Sequence, residues 1–172
     1  PSRGLGDVYK RQGGNNGKKI SNADQIILNN KNSKIFTKKL NYINSKIEYI
    51  RVIKATNYNY FTDISKNDFF TKEFIVSKYS DRMGMRLSGP ILKNNVSTNI
   101  RSEGIIKGVI QIPPDGSPII MLSDHGTIGG YPKIASVISA DFDKVSQLPP
   151  GSQIKFKEMT LKDAENLYNL YN

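Results

Sequence analysis

Apolar and polar positions alternate in short runs along most of the chain, a pattern that predicts many brief strands and few helices. Residues 47–55 (IEYIRVIKA) are rich in β-branched and aromatic side chains and predict a strand. Residues 73–79 alternate, with Phe74, Val76 and Lys78 on one face and Ile75, Ser77 and Tyr79 on the other. Residues 81–90 (DRMGMRLSGP) continue as a strand broken at Gly84. Residues 104–112 (GIIKGVIQI) and 118–122 (PIIML) read as two strands joined by a turn. In that turn Pro114 suits the first central position of a type I turn, and Gly116 supplies a left-handed residue. Residues 133–139 and 153–157 (QIKFK) are further strands, and 24–28 (DQIIL) is a short one. Helical spacing occurs at 63–72, with Asp63 or Ser65 as cap, and at 160–171, with Thr160 as cap. In the second, Leu161, Ala164, Leu167, Tyr168 and Tyr171 form one apolar stripe. Asp141 is expected to cap a single helical turn ending near Gln147. Residues 29–45 and 93–102 are polar loops, and 123–132 (SDHGTIGGYP) is a glycine-rich connection. Strands do not alternate with helices and nothing repeats, so the fold class is mainly β, a sandwich or barrel.

Residues 1–12 (PSRGLGDVYKRQ) carry neither periodicity and resemble translated adaptor sequence. They are expected to be a non-native leader, with 13–46 a poorly defined remnant of an upstream region. The main domain is expected over 47–159 and a C-terminal helix over 160–172. The chain begins with Pro1 rather than Met, which points to a longer natural gene.

The net charge is +10 and the isoelectric point about 9.7, a balance that nucleic-acid-binding proteins share. The charge is spread thinly, however, without a run of five basic residues. Lys, Asn and Ile together make up a third of the chain, as codon drift in an A/T-rich genome would produce. No nucleic-acid partner is therefore expected, although a basic surface concentrates anionic substrates. The mean hydropathy is −0.46 and no run nears the roughly 20 apolar residues of a membrane-spanning helix. No membrane role is expected. The absence of cysteine excludes disulfides and thiolate metal sites and suits a cytoplasmic location.

His125 is the single histidine, and Ser123, Asp124 and His125 are merely adjacent, so a serine triad has little support. No His/Cys cluster suggests a metal site. Residues 126–130 (GTIGG) lack the Gly-Lys-Ser/Thr ending of a phosphate loop and the setting of a dinucleotide fingerprint. They read either as a tight loop with positive φ at Gly129 or Gly130, or as bare backbone near an anionic ligand. Arg82 and Arg86 fall within five residues of a Lys-rich chain, which points to a need for the planar arginine fork. In one strand they would share a face about 13 Å apart. Arg82 is the better candidate, against the plainer reading that one of them pairs with Asp81 or Glu103. Gln111 could donate to a substrate carbonyl or be an exposed strand residue. Tyr131, held extended by Pro132, could serve a site or the core, and Lys133 could be a point charge or simply solvated.

Taken together, SDRMGMRLSGP and SEGIIKGVIQIPPDGSPIIMLSDHGTIGGYPKIASVISADFDKVSQLPPG resemble the C-terminal region of the allophanate hydrolase subunit 2 family, as IRVIKATNYNYF does upstream. That family includes the C subunit of the ATP-dependent prokaryotic 5-oxoprolinase and half of the carboxyltransferase domain of urea carboxylase. The resemblance spans about residues 50–156 and implies a cyclophilin-like β-barrel with few short helices. It implies a subunit that, with companion subunits, opens 5-oxo-L-proline to L-glutamate, with ATP supplied through the complex. The alternative it leaves is a biotin-dependent carboxyltransferase acting on urea or a similar small amide, with biotin arriving on another domain. A further alternative is a non-enzymatic regulatory binding partner. On the matching motif positions, Arg82, Gln111 and Asp124 are the catalytic candidates. Arg86, Glu103, Thr127, Gly129, Gly130, Tyr131 and Lys133 are the substrate-binding candidates. The chain departs from the family in lacking its glycine-rich N-terminal region, and Lys54-Ala55 stand where a glycine is usual.

Overall fold

In the computed structural model the described residues are 22–23, 25, 48–96 and 99–171, with side chains to Asn169. The expected leader and the segments at 13–46 fall outside them, apart from three turn or coil positions, as do Ser97 and Thr98. The expected strand at 24–28 is therefore not described.

Among the described residues, ten strands, three α-helices and one 3-10 turn follow one another within residues 50–171. The strands are β1 (Ile50–Lys54), β2 (Phe74–Val76), β3 (Gly84–Ser88), β4 (Glu103–Gly104), β5 (Val109–Gln111), β6 (Ile119–Met121), β7 (Ile128–Gly129), β8 (Lys133–Val137), β9 (Gln153–Ile154) and β10 (Phe156–Glu158). The helices are α1 (Asp63–Thr71), α2 (Ser139–Ser146) and α3 (Leu161–Tyr171), and the 3-10 turn is Tyr58–Tyr60.

Eight strands form one sheet in the order β10-β1-β8-β5-β6-β3-β2-β9, and β4 and β7 form a separate two-stranded ribbon. The two ends of the large sheet are β9 and β10, which only Lys155 separates in sequence. One bent segment thus pairs antiparallel with β2 and parallel with β1, and it closes the sheet into a barrel. The Lys155 carbonyl at the bend accepts from the Ile50 N–H at 2.8 Å. This is the mainly-β barrel that the resemblance implied. Lys54 and Glu158 pair across β1 and β10 at 2.7 Å. That hydrogen bond, foremost, holds the Lys54 ammonium charged above its ordinary range.

The barrel interior is filled from alternate strand positions. Ile110, Ile120, Met85 and Ala135 point inward from β5, β6, β3 and β8, all at most 2% exposed. Helix α1 lays Phe69 flat on Phe156, with ring centroids 4.4 Å apart, and Phe74 packs obliquely on both.

Several boundaries differ from the sequence expectation, each for a local reason. The cap of α1 is Thr62, whose Oγ1 accepts from the Ser65 N–H, and not Asp63 or Ser65. Ser65 is buried instead, and its hydroxyl accepts from the Lys93 N–H at 2.7 Å. Gly84 starts β3 rather than breaking it. Asp81 folds the preceding residues into a turn, its Oδ1 accepting from the Met83 and Gly84 N–H groups. The expected strand at 104–112 is split between β4 and β5 by a turn with Gly108 at φ 88°. Asp141 does not cap α2. It lies inside the helix, 3% exposed, with its carboxylate forked on the Arg51 guanidinium and accepting the Arg51 backbone N–H. The turn at 113–116 forms as expected, with the Gly116 N–H donating to the Pro113 carbonyl and Gly116 at φ 76°. Thr160 accepts from the Asp163 N–H as expected. The α3 stripe is only partly covered, since Leu161 and Tyr168 are exposed.

Candidate active site

Strand register places several of the candidates in one row. Arg86 lies opposite Ile119, Ile119 opposite Gln111, and Gln111 opposite Lys133, across β3, β6, β5 and β8. Opposed residues of an antiparallel pair project to the same face, and the neighbouring Met85, Ile120 and Ile110 fill the interior. The row is therefore on the outside of the barrel. A register shift between Ile110 and Gln111 brings Lys133 rather than Ile134 opposite Gln111.

The β4–β7 ribbon covers one end of this row. Glu103 and Gly129 are opposed within the ribbon. From there the Glu103 carboxylate pairs with the Lys133 ammonium. Lys133 is 7% exposed at its side chain and Glu103 44%, so a nearly buried cation meets a carboxylate that opens to solvent. The main chain of Lys133 is held from the other side, where Asn57, itself buried, accepts its N–H at 3.1 Å. Gln111 is 3% exposed and its Nε2 donates to the Tyr131 carbonyl at 3.2 Å. Its second N–H remains available as a donor.

Gly129 and Gly130 serve close approach rather than positive φ, which among the described glycines occurs at Gly108, Gly116 and Gly151. A Cβ on Gly129 would crowd Ile105 Cδ1 and lie 2.9 Å from Gln111 Nε2. One on Gly130 would lie 3.0 Å from the Ile100 carbonyl oxygen. The glycines let the ribbon lie against the Gln111 amide.

Glu103, Gln111, Gly129, Tyr131 and Lys133 are thus brought together, and Gln111 and Lys133 are buried rather than solvated as their plainer readings had it. Arg82 and Arg86 do not share a strand face. Arg82 sits in the turn before β3, 78% exposed at its side chain, and pairs with Asp124 at 2.8 Å rather than with Asp81 or Glu103. No hydrogen bond or ion pair links that pair to Glu103, Gln111 or Lys133 among the described residues. Arg86 lies at the far end of the row from Lys133. Thr127 is exposed and contributes its carbonyl, which accepts from the Ile105 N–H at 2.9 Å. Asn57 escaped sequence reasoning because an Asn beside a 3-10 turn carries no signal of a partner 76 residues away. No group of three metal-ligating side chains occurs among the described residues. No described helix is long and apolar enough to cross a membrane.

Chemically, the cluster offers a nearly buried ammonium, an amide donor and a half-exposed carboxylate side by side. A desolvated Lys can stabilise an oxyanion, and a half-exposed carboxylate can take a proton.

The family described as carboxyltransferase domain, subdomain A and B, matches residues 5–158. The chain is 38% identical to the 5-oxoprolinase C subunit of Escherichia coli (strain K12) over 115 residues, which is 67% of this chain and 37% of that protein. It is 30% identical to the urea amidolyase of Lachancea kluyveri over 120 residues, 63% of this chain and 6% of that protein. Among solved structures it resembles the K. lactis urea amidolyase, with a TM-score of 0.67 and 28% identity over 70% of this chain and 8% of the other. The chain spans under two-fifths of the oxoprolinase protein it matches. On the extent of the family match and the barrel it shares with a solved relative, the chain belongs to the carboxyltransferase-domain family.

Proposed function

We propose that this chain is part of a 5-oxoprolinase-type subunit that opens 5-oxo-L-proline to L-glutamate together with companion subunits, at the expense of ATP. The observation that carries the reading is the 38% identity to a 5-oxoprolinase protein, against 30% to a urea amidolyase. The clustered side chains suit the chemistry. Opening a lactam moves charge onto the ring carbonyl oxygen, which the Lys133 ammonium and the free Gln111 N–H would stabilise. Glu103, opposite Lys133, would hold or pass the proton that the ring nitrogen needs.

Within 126–130 only Ile128–Gly129 is strand, and β8 rather than a helix follows, so no helix N-terminus is there to cradle a triphosphate. ATP would bind through the companion subunits. A second reading is favoured by the likeness to the urea amidolyase structure: a carboxyltransferase domain that receives carboxyl groups from biotin on another domain and passes them to a small amide. Both readings place the complex in the cytoplasm.

The test uses the natural gene product carrying this sequence, co-expressed with its companion subunits. ADP release is measured with and without 5-oxo-L-proline. Stimulation by 5-oxo-L-proline, reduced at least about tenfold in kcat by Lys133→Met, is the expected result. Arg82→Ala, at a mostly solvated pair, is expected to change the rate less than about threefold. A well-folded complex that ignores 5-oxo-L-proline and instead turns over carboxybiotin with urea would replace the first reading by the second.

A further inference from the structure

A polar cavity of about 360 Å³ opens on the outside of the barrel, next to the 113–116 turn. Arg86 and Asp115 both line it, with Ser77, Ser88, Ser117 and Tyr79. Glu103, Gln111 and Lys133 do not line it.

Arg86 and Asp115 are both exposed where they face this groove. No ion pair joins Arg86 and Asp115, whereas Arg51 and Arg82 are each paired with a carboxylate. The Asp115 carboxylate is held from behind, and so is the main chain of Arg86. The Arg86 main chain is fixed on either side, its N–H donating to Ser80 Oγ at 3.0 Å and its carbonyl accepting from the Ser77 N–H at 2.8 Å. Asp115 occupies a turn set by Pro114 and Gly116, and one of its oxygens accepts from the Ser117 N–H at 3.0 Å. Gly116 anchors that turn closely, since a Cβ there would lie 2.5 Å from Ile91 Cγ2 and 3.0 Å from the Leu92 carbonyl oxygen. The cavity thus presents a guanidinium unpaired among the described residues and a carboxylate, with four hydroxyl-bearing side chains beside them.

We propose that the Arg86–Asp115 cavity binds a free α-amino acid, its carboxylate on Arg86 and its ammonium on Asp115. A carboxylate matches the planar guanidinium fork, and the free Asp115 oxygen accepts from an ammonium. A simple anion would meet repulsion from Asp115, and a simple cation repulsion from Arg86. Only a ligand carrying both charges satisfies both walls. The inference does not depend on the proposed reaction, although L-glutamate is the natural first probe because that reaction would release it.

The experiment is calorimetric titration of the natural gene product with L-glutamate, glycine, butyrate and butylamine. Each is repeated on Arg86→Met and Asp115→Asn, with thermal melts as a check on folding. The expected result is saturable binding of L-glutamate and glycine, weakened about tenfold or more by each substitution, with butyrate and butylamine binding at least tenfold more weakly. Butyrate binding as well as glycine, with no effect of Asp115→Asn, would overturn the proposal in favour of a plain anion site. Absence of amino-acid binding to the folded protein would overturn it outright. Should a variant melt early, Tyr79→Ala and Ser88→Ala supply a milder second test. They are expected to weaken glycine binding measurably, and unchanged binding in both would count against the site. Because ADP release is not read, this outcome is independent of whether 5-oxo-L-proline is the substrate.

Discussion

At the scale of single residues, two carboxylates show how differently this chain uses the same group. Asp141 is sealed inside α2 against Arg51 and ties that helix to β1. Asp141→Asn would leave the Arg51 guanidinium with a neutral partner in a largely buried place. It is expected to lower unfolding free energy by about 2 kcal/mol, read from urea denaturation. Glu103 is half exposed and pairs with a nearly buried Lys133. Gly129 sits between the two uses. An added methyl meets the ends of two flexible side chains, Ile105 and Gln111, which can yield. Gly129→Ala is therefore expected to cost at most about 1 kcal/mol of stability while displacing the Gln111 amide. Turnover should fall well out of proportion to the melting temperature, and comparing the two measures checks it.

At the scale of elements, strand existence was legible in the sequence and strand limits were not. Phe74, Ile75 and Val76 alternate buried, exposed, buried as their pattern predicts. The limits failed where a side chain captured the main chain, as Asp81 does before β3. Asp141 was misread because its helix begins two residues earlier, at Ser139, after an Ile that makes no side-chain cap. Thr62 was passed over beside two other plausible caps, yet its hydroxyl both accepts from the Ser65 N–H and donates to Ser65 Oγ. Thr62→Ala is expected to destabilise by about 1 kcal/mol, measured by thermal unfolding. The candidate site was legible only as residue types: Gln111, Lys133 and Glu103, which the structure brings together, were each singled out. Their assembly was not legible, because it depends on a bulge between Ile110 and Gln111 and on a ribbon of two residue pairs.

At the scale of the whole molecule, the barrel is held by one aromatic cluster and one closing segment. Phe69, Phe74 and Phe156 come from α1, β2 and β10, so their contact packs the helix over the seam where the barrel closes. Phe69→Ala is expected to cost about 3–5 kcal/mol, enough to leave much of the chain unfolded at 37 °C in a circular-dichroism melt. The segment from Gln153 to Glu158 has a consequence of its own. It is stitched to β2 on one side of Lys155 and to β1 on the other. The peptide bond after Lys155 is of the kind trypsin cuts, and the Lys155 side chain is 39% exposed. A single nick there would sever the direct covalent link between β9 and β10, leaving only hydrogen bonds and packing to keep the tube from opening into a curled ribbon with two raw margins. Resistance to that nick is thus a direct reading of how firmly the tube stays shut.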